Sequence, residues 1–314
     1  MGEDNRPKVS IGLPVFNGEK YLEEALDSIL AQTFQDFELI ISDNASTDRT
    51  KEICLQYAQK DQRIRYHRNE RNLGAAPNHN LAFRLAKGKY FKWSGHDDKI
   101  TSDFLSRCVD VLDQYPDVVL CMPQTELIND QGQYIGRYDY KADGDIPEPH
   151  KRFQDFVIKN ESGSYVYGLM RVDSLVKTSP HGSYPSSDLV FLAELALYGR
   201  YYMISEPLYY RRFHSGQSTK GALQIERSRV AWFDTSLEGK IVFPKWQCLA
   251  GYLKAVNNAP INLYHRLYCY IQIVRWALIL PHFRALGKDV LLAAQKIAIR
   301  SYLKLKRFAS RKIE

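Results

Sequence analysis

The residues best suited to chemistry lie in three short polar stretches, each of which directly follows a run of apolar residues. They are PVFN (residues 14–17), SDNAS (residues 42–46) and SGHDD (residues 94–98). Two adjacent Asp suit a hard divalent cation, which takes oxygen ligands and keeps positions open for phosphate oxygens. Taken singly, each stretch is explained equally well as a helix cap, because Asp, Asn and Ser accept hydrogen bonds from free backbone N–H groups.

The elements that position these stretches alternate in type along the first 120 residues. Apolar runs with strand character alternate with stretches of helical period, which predicts a parallel sheet flanked by helices. Such sheets bind ligands beyond the carboxyl ends of their strands, so we expect the polar stretches to share one cleft. The predicted strands are residues 9–16, 37–43, 63–68, 89–95 and 117–122, and the predicted helices are 21–32, 48–60, 76–88 and 102–116.

The alternation breaks after residue 123. A hairpin is predicted around Asp130 to Gly132, followed by a loop over residues 141–150. Residues 186–199 read as a helix and 201–212 as a strand interrupted by Pro207. From about Ile225 the chain is predicted to be helical. We therefore expect a catalytic-type domain over residues 1–222 and a helical region over residues 223–314.

The charge of the chain is concentrated in its last part. The net charge is +7, yet residues 225–314 hold 16 Lys or Arg against 5 Asp or Glu, so the preceding part carries a net charge of −4. A basic region of this kind either packs on the body or faces an anionic surface. Nucleic acid is the less favoured partner, because no known binding module surrounds the charges. The inner face of the cytoplasmic membrane is the alternative.

The apolar segment in this basic part does not predict a membrane span. Residues 267–280 are the most apolar piece, but this piece has only 14 residues and includes Gln272 and Arg275. It is predicted to be a packed helix or one lying in a membrane interface. The five cysteines are scattered and the first ten residues lack a signal-peptide pattern. These features predict reduced thiols and a cytoplasmic location.

The common nucleotide and hydrolase motifs do not occur in the sequence. GxGxxG is missing from the first strand–helix turn, and GxxxxGK[ST], HExxH and GxSxG are missing throughout. A nucleotide bound at this sheet must therefore be held by other loops.

The ordered set of motifs resembles glycosyltransferase family 2, whose members have the GT-A fold. The segments PVFN, ELIISDNASTDRT, RNLGAAPNHNLAFRLAKGKYFKWSGHDD and the later SSD follow one another as in that family, over about residues 8 to 215. The resemblance implies an α/β fold with a mostly parallel sheet flanked by helices. It also implies an inverting transferase that uses a nucleotide-sugar, with Mn²⁺ or Mg²⁺ on the diphosphate.

The resemblance also implies roles for particular residues. The nucleotide would be contacted by Pro14, Phe16, Asn17, Glu19, Asp43, Ser46, Arg71 and Asn72. Asp97 and Asp98 would form the metal motif, although Gly95 stands at the first acidic position of the usual D-x-D pattern. His214 would approach the metal or the diphosphate, with Arg211 or Arg212 supplying phosphate charge. Asp188 would be the general base, with helix capping as the alternative.

The sequence thus predicts a metal-dependent inverting glycosyltransferase. Its donor would be a nucleotide-sugar, a UDP-sugar in the first place, and its acceptor a glycan or a lipid-linked glycan. The family's usual setting implies bacterial surface polysaccharide synthesis, and a homo-oligomer is compatible with the sequence. Two alternatives stay open: a nucleotidyltransferase on a similar fold, and a non-catalytic scaffold protein.

Overall fold

A computed structural model of the chain describes residues 6–159, 163–216 and 226–310. These residues form one sheet with helices packed against it, followed by a helical C-terminal region. The strands are β1 (Val9–Val15), β2 (Phe37–Asp43), β3 (Ile64–Arg68), β4 (Tyr90–Trp93), β5 (Lys99–Ile100), β6 (Val118–Ile128), β7 (Tyr134–Arg137), β8 (Leu169–Arg171) and β9 (Arg200–Arg212).

The helices of the body and of the C-terminal region follow the same chain order. They are α1 (Leu22–Leu30), α2 (Thr50–Lys60), α3 (Ala75–Arg84), α4 (Phe104–Gln114), α5 (Pro149–Ile158), α6 (Val172–Leu175), α7 (Ser187–Leu195), α8 (Glu226–Phe233), α9 (Pro244–Asn258), α10 (Leu263–Leu278) and α11 (Leu280–Ser310). Residues 163–167 and 235–237 form short 3₁₀ helices.

The sheet has the strand order β3-β2-β1-β4-β8-β6-β9-β5, and β7 pairs with β6. Strands β1 to β4 are parallel where they pair, and so are β6 and β9. The short β8 lies antiparallel between β4 and β6. The predicted α/β fold is confirmed, and the antiparallel β8 makes the mostly parallel sheet a mixed one.

Burial explains why the central strands form where the sequence predicts them. Every residue of β1 and of β2 is buried, which is typical of parallel strands covered on both faces. Helix α1 buries four residues at helical spacing against this core: Leu22, Ala25, Leu26 and Ile29. The polar loops at the strand ends are therefore held by a rigid apolar framework.

Several predicted boundaries differ from the structure. Strand β6 continues to Ile128 through a register shift after Pro123, and Pro207 of β9 sits opposite that irregularity. The predicted hairpin turn is confirmed between β6 and β7. The predicted loop 141–150 ends in α5, which begins at Pro149, a favoured first helical position.

The C-terminal region is helical, as predicted, from α8 to α11. The predicted domain boundary at residues 222 and 223 lies outside the described residues. In the parts of the chain that the structure describes, none of the helices is long and apolar enough to cross a membrane.

Candidate active site

A cleft of about 560 Å³ lies beyond the carboxyl ends of β1, β2 and β4. Residues from all three predicted polar stretches line it, together with the start of α3, the end of β9 and one face of α8. The convergence predicted from the parallel order of these strands is therefore present in the structure. None of the side chains in these stretches caps the helix that follows, since α1, α2 and α4 begin without a side-chain cap hydrogen bond.

The loop after β1 is tied to the loop after β2. The Asn17 side chain accepts a hydrogen bond from the Thr47 N–H at 2.8 Å, and its backbone N–H donates to Ser46 Oγ at 2.9 Å. Pro14, Phe16 and Asn17 line the cleft. Ser46 lies outside the cleft lining of the described residues and holds the backbone of Asn17.

Glu19 lies outside the cleft walls that the described residues form, between the loop after β1 and the loop after β2. Its carboxylate accepts a hydrogen bond from the Arg49 N–H at 2.9 Å. Glu19 therefore supports the two loops from outside, and a direct contact with the nucleotide stays a prediction.

Asp43 is completely buried at the end of β2. Its carboxylate accepts hydrogen bonds from the Ser46 N–H at 2.8 Å and from the Tyr66 hydroxyl at 2.7 Å, and it pairs with Arg68. The Arg68 guanidinium also donates to the Ser46 carbonyl at 2.8 Å. In this arrangement Asp43 orders the loop and lies apart from the cleft walls that the described residues form. A contact of Asp43 with the base stays a prediction.

A network of amides forms the floor of the cleft between β2 and α3. Asn44 donates to Asn72 Oδ1 at 2.9 Å and accepts from Asn69 at 3.0 Å. Asn78 accepts from Ser42 Oγ at 2.7 Å. Asn72 thereby has a cleft-lining position, and its contact with the nucleotide stays a prediction. Arg71 beside it is exposed and lies apart from the cleft walls in the described residues.

The acidic pair after β4 is oriented by β9 and by the residues just beyond it. Asp97 Oδ2 lies 3.0 Å from His214 Nε2. Asp98 accepts from the Arg212 N–H at 2.9 Å and from the Tyr209 hydroxyl. Both carboxylates and His214 line the cleft. The two Asp are thus held by a strand more than 100 residues later in the chain.

The two adjacent carboxyl groups have opposite pKa shifts. Burial and the charge of Asp97 raise the pKa of Asp98 to about 7. Burial also acts to raise the pKa of Asp97. The hydrogen bond from His214 and the nearby His96 outweigh it, so that the pKa of Asp97 is lowered. The pair therefore concentrates negative charge on Asp97, at the cleft surface.

Gly95 explains how both carboxylates can lie over one stretch of backbone. A Cβ atom on Gly95 would lie 2.7 Å from Asp98 Oδ2 and 2.9 Å from Asp97 Oδ1. A side chain here would displace the carboxylates. The departure from the D-x-D pattern thus fits the local packing of this chain.

The two candidate arginines have different surroundings. Arg211 lines the cleft, and its guanidinium donates to Ser164 Oγ at 2.6 Å. The Arg212 guanidinium is buried outside the cleft lining of the described residues. It pairs with Glu24 and donates to the Asp97 carbonyl at 2.9 Å. The phosphate role stays a prediction. Of the two arginines, Arg211 lines the cleft, whereas Arg212 holds the acidic loop.

Asp188 lies at the start of α7, beyond one end of the cleft. Burial raises its pKa, although the charge of Arg211 acts to lower it. The cleft-lining Tyr167 is close enough that the charge of Asp188 adds to the effect of burial in raising the pKa of Tyr167. The Asp188 carboxylate accepts a hydrogen bond from the Leu189 N–H at 3.0 Å. The N-cap residue Ser186 makes no side-chain cap hydrogen bond, so Asp188 is the side chain that accepts an N–H of the first turn of α7. Both the role of general base and the helix-start role stay predictions for Asp188.

The residues present fit a divalent cation only together with a ligand. Within the described residues, three or more His, Cys, Asp or Glu side chains do not converge into a metal site. Asp97 and Asp98 nevertheless face one point above Gly95 and line the cleft. Magnesium-type sites commonly use one or two carboxylates plus substrate phosphates and water. The donor set therefore suits an ion that is held jointly with a diphosphate.

Sequence reasoning did not identify some residues of the site. Tyr209 holds Asp98, and Arg68 holds Asp43. Both come from strands in which the alternation of apolar and polar residues indicates burial and no particular contact. Trp232 comes from α8 and lines the cleft from the C-terminal region. A short-range pattern cannot indicate such contacts, since they join distant parts of the chain.

The fold and the cleft define the class as GT-A glycosyltransferases. The model of the family "Glycosyl transferase family 2" matches residues 10–173. The chain belongs to glycosyltransferase family 2. The match ends before Asp188, Arg211 and His214, so their assignments depend on the geometry described above.

Relatives with the same family name occur in bacteria and archaea. An uncharacterized glycosyltransferase of Methanocaldococcus jannaschii is 34% identical over 140 residues, which are 44% of this chain and 48% of that protein. One of Rickettsia prowazekii is 29% identical over 236 residues, 72% of this chain and 70% of that protein. The chain thus spans about half the length of the first of these relatives.

Solved structures share the fold at low sequence identity. S. aureus TarS 1-349 in complex with UDP-GlcNAc has a TM-score of 0.65 and 17% identity, covering 92% of this chain and 81% of that one. The mannosyltransferase PcManGT from Pyrobaculum calidifontis, in complex with GDP-Man and Mn²⁺, has a TM-score of 0.55 and 17% identity, covering 96% and 81%. These likenesses confirm the predicted GT-A fold.

Proposed function

We propose that this protein is a metal-dependent inverting glycosyltransferase that uses a UDP-sugar and acts on a glycan or lipid-linked acceptor. The observation that carries the proposal is the composition of the cleft at the strand ends. The loop after β1, the acidic pair and Arg211 line it, and Asp188 lies just beyond Tyr167. Family membership supports the same chemistry.

The donor is proposed to lie along the carboxyl ends of β1, β2 and β4. The nucleoside would rest on Pro14 and Phe16, next to the amide floor that includes Asn72. The diphosphate would then lie between Asp97 and Arg211. A guanidinium can offer two parallel hydrogen bonds to phosphate oxygens, which suits Arg211 for this role.

Asp97 and Asp98 would hold Mn²⁺ or Mg²⁺ on the diphosphate. The ion, when bound, neutralises charge on the departing diphosphate. His214 is proposed to act through Asp97, because its ring nitrogen is already 3.0 Å from that carboxylate. Tyr209 and Arg212 fix Asp98 through hydrogen bonds, and each carboxylate oxygen keeps a second lone pair for the ion.

Asp188 is proposed to be the general base. The acceptor hydroxyl oxygen would form a bond to the anomeric carbon while its proton passes to Asp188. The bond from that carbon to the diphosphate breaks, and the nucleoside diphosphate leaves. The raised pKa of Asp188 suits this role, because it makes the carboxylate a stronger base than an exposed Asp.

The Asp188→Asn substitution tests the assignment. It keeps the shape of the side chain and removes the base. We therefore expect the rate of UDP production from a UDP-sugar, measured with Mn²⁺ present, to fall at least about 100-fold. UDP affinity, measured by calorimetry, is expected to stay unchanged. The matched control is Asp173→Asn, an exposed Asp on α6.

Two outcomes would count against the proposal. Equal turnover by the Asp188→Asn variant and the unaltered protein would remove Asp188 from the mechanism. Failure of the unaltered protein to bind UDP or turn over any UDP-sugar would favour the scaffold alternative. The nucleotidyltransferase alternative is disfavoured by membership in the glycosyltransferase family.

The proposed setting is the assembly of bacterial surface polysaccharide at an anionic membrane surface. The supporting feature is a stripe on α10, formed by Leu267, Ile271, Val274 and Leu278, which are 53% to 67% exposed. Arg275 borders this α10 stripe and is exposed. Apolar residues flanked by cations are typical of helices that lie in a membrane interface.

A further inference from the structure

A second cleft, of about 690 Å³, lies between the α8 segment and the C-terminal half of α11. Its walls come entirely from the helical C-terminal region, and the strand-end motifs contribute none of its lining residues in the described parts of the chain. Ala231 and Trp232 line both this second cleft and the proposed donor cleft. Helix α8 is therefore a wall common to the two.

The second cleft has an excess of positive charge. Lys240, Lys296 and Arg300 line it, against the single carboxylate of Glu238. Within the described residues, none of the three cations forms an ion pair with a carboxylate. Arg300 donates to the Gly239 carbonyl, which holds its guanidinium at the cleft. Three cations around one space favour an anion with several oxygens, such as a phosphate.

The same cleft also has an apolar and aromatic side. Trp232 is 37% exposed, and Leu237 and Ile299 line the space near it. An indole offers a flat apolar face to a hydrocarbon chain or to the C–H face of a sugar ring. Cations beside apolar residues match a ligand that joins a phosphate to an apolar or sugar portion.

We infer that this second cleft binds the acceptor, and that the acceptor carries a phosphate group. The inference depends on the proposed transferase function, since it assigns the acceptor side of that reaction. Lys240, Lys296 and Arg300 would hold the phosphate, and Trp232 would guide the adjoining portion past α8 toward the donor cleft. The phosphate can belong to a lipid-linked glycan or to a phosphate-containing polymer.

The test measures binding of defined probes by calorimetry with UDP present. Geranyl phosphate supplies a phosphate on an apolar chain, glycerol 1-phosphate supplies a phosphate without that chain, and geraniol supplies the chain alone. We expect geranyl phosphate to bind and geraniol not to bind. Stronger binding of geranyl phosphate supports a lipid-linked source, whereas equal binding of glycerol 1-phosphate supports a polymer source.

Variants locate the binding site. We expect Lys296→Ala and Arg300→Ala each to weaken geranyl phosphate binding about tenfold, as expected for loss of one charge-assisted contact. Arg284→Ala is the control, because it removes an exposed cation from the same helix outside the cleft lining. UDP affinity should stay constant in all three variants, because the substitutions lie outside the donor cleft.

The outcomes separate this inference from the proposed function. Normal UDP binding with no binding of either phosphate probe would overturn the acceptor site alone. The same conclusion follows if Arg284→Ala weakens the probe as much as Arg300→Ala does, or if geraniol binds as well as geranyl phosphate. Loss of UDP binding in the unaltered protein would instead overturn the transferase proposal.

Discussion

Three residues in left-handed backbone conformations show how the site is shaped at the residue scale. Asn17, Ala45 and Ser186 have φ values of 52°, 62° and 67°, and they are the non-glycine residues with positive φ in the described chain. One lies in each of three predicted motifs: PVFN, SDNAS and the SSD before α7. Such conformations cost free energy and are typical of functional loops. Asn17 and Ala45 turn the chain directly after β1 and β2, and Ser186 turns it into α7.

The Gly95→Asp substitution restores the usual acidic pattern, yet it is expected to reduce activity. Its Cβ atom would lie within 3 Å of oxygens of Asp97 and Asp98, and its charge would repel both. We expect Mn²⁺-dependent UDP release to fall at least about tenfold, in line with the loss of an oriented ligand. Steady-state kinetics over a Mn²⁺ titration measures this.

The control for that experiment is Gly287→Ala in α11. Its added Cβ atom would have no described heavy atom within 4 Å, so its activity should be unchanged. Equal or higher activity of the Gly95→Asp variant would show that the close approach of the carboxylates to Gly95 is not needed.

At the element scale, β9 positions the acidic side chains of the loop that follows β4. The short β5 pairs with Tyr209 and Tyr210 of β9, which brings the acidic loop beside that strand. Helix α4 begins only at Phe104, after β5. The loop is therefore shaped by strand pairing, and the acidic side chains are left to face the cleft.

The segment before α7 is held against β4 by the half-buried His181. The centroid of the His181 ring lies 4.7 Å from the ring centroid of Trp93 and 4.9 Å from that of Phe191. Its Nε2 has no hydrogen-bond partner in the described residues. Burial and the neighbouring His79 lower the pKa of His181 to about 3. This ring is thus neutral in the folded protein at neutral pH.

Replacing His181 with Phe is expected to change the acid side of the stability profile. The unfolded chain binds a proton near pH 6.5 and the folded ring does not, so the native protein loses stability as pH falls from about 6.5 toward 3. His181→Phe removes that loss, which amounts to about 1 to 2 kcal/mol at pH 5. Urea unfolding at pH 7.5 and pH 5 measures the difference.

The exposed His67 on β3 provides the matched control. His67→Phe should keep the pH dependence of the native protein. If the His181→Phe variant loses as much stability between pH 7.5 and pH 5 as the native protein, the His181 ring is not the cause.

At the scale of the whole molecule, the chain joins a mildly acidic catalytic body to a basic helical region. Helix α10 packs one face on the body through Cys269, Ile273 and Trp276, and it exposes the α10 stripe on the opposite side. Helix α8 completes both clefts. The helical region is thus proposed to take part in substrate binding as well as in contact with a membrane.

Acidic substitutions in the α10 stripe are expected to weaken membrane binding. We predict that the unaltered protein floats with vesicles of phosphatidylglycerol and phosphatidylethanolamine, but less with phosphatidylcholine alone. Ile271→Glu with Leu278→Glu should abolish flotation, because each places a charge in the apolar interface. Leu55→Glu, at a 40% exposed position on α2, is the control.

A second copy of the chain could cover the same stripe instead. Dimerisation that is lost in the double variant, without flotation of the unaltered protein, would overturn the membrane proposal. Light scattering of both proteins distinguishes the two cases.

The sequence by itself determined the alternation of strands and helices, the polar strand ends and the helical C-terminal region. Each of these depends on periodicity or residue type within a short window, which a single sequence displays. The position of Asp97 and Asp98 at the end of β4 followed from the same reasoning. The family resemblance added the order of the motifs.

Only the tertiary structure decided which of these residues face the cleft. Asp43 is paired with Arg68, and Arg212 supports the acidic loop while Arg211 lines the cleft. The antiparallel β8 and the second cleft also depend on contacts between distant segments. Such contacts are selected by packing and by charge pairing across the fold, which local sequence patterns do not encode.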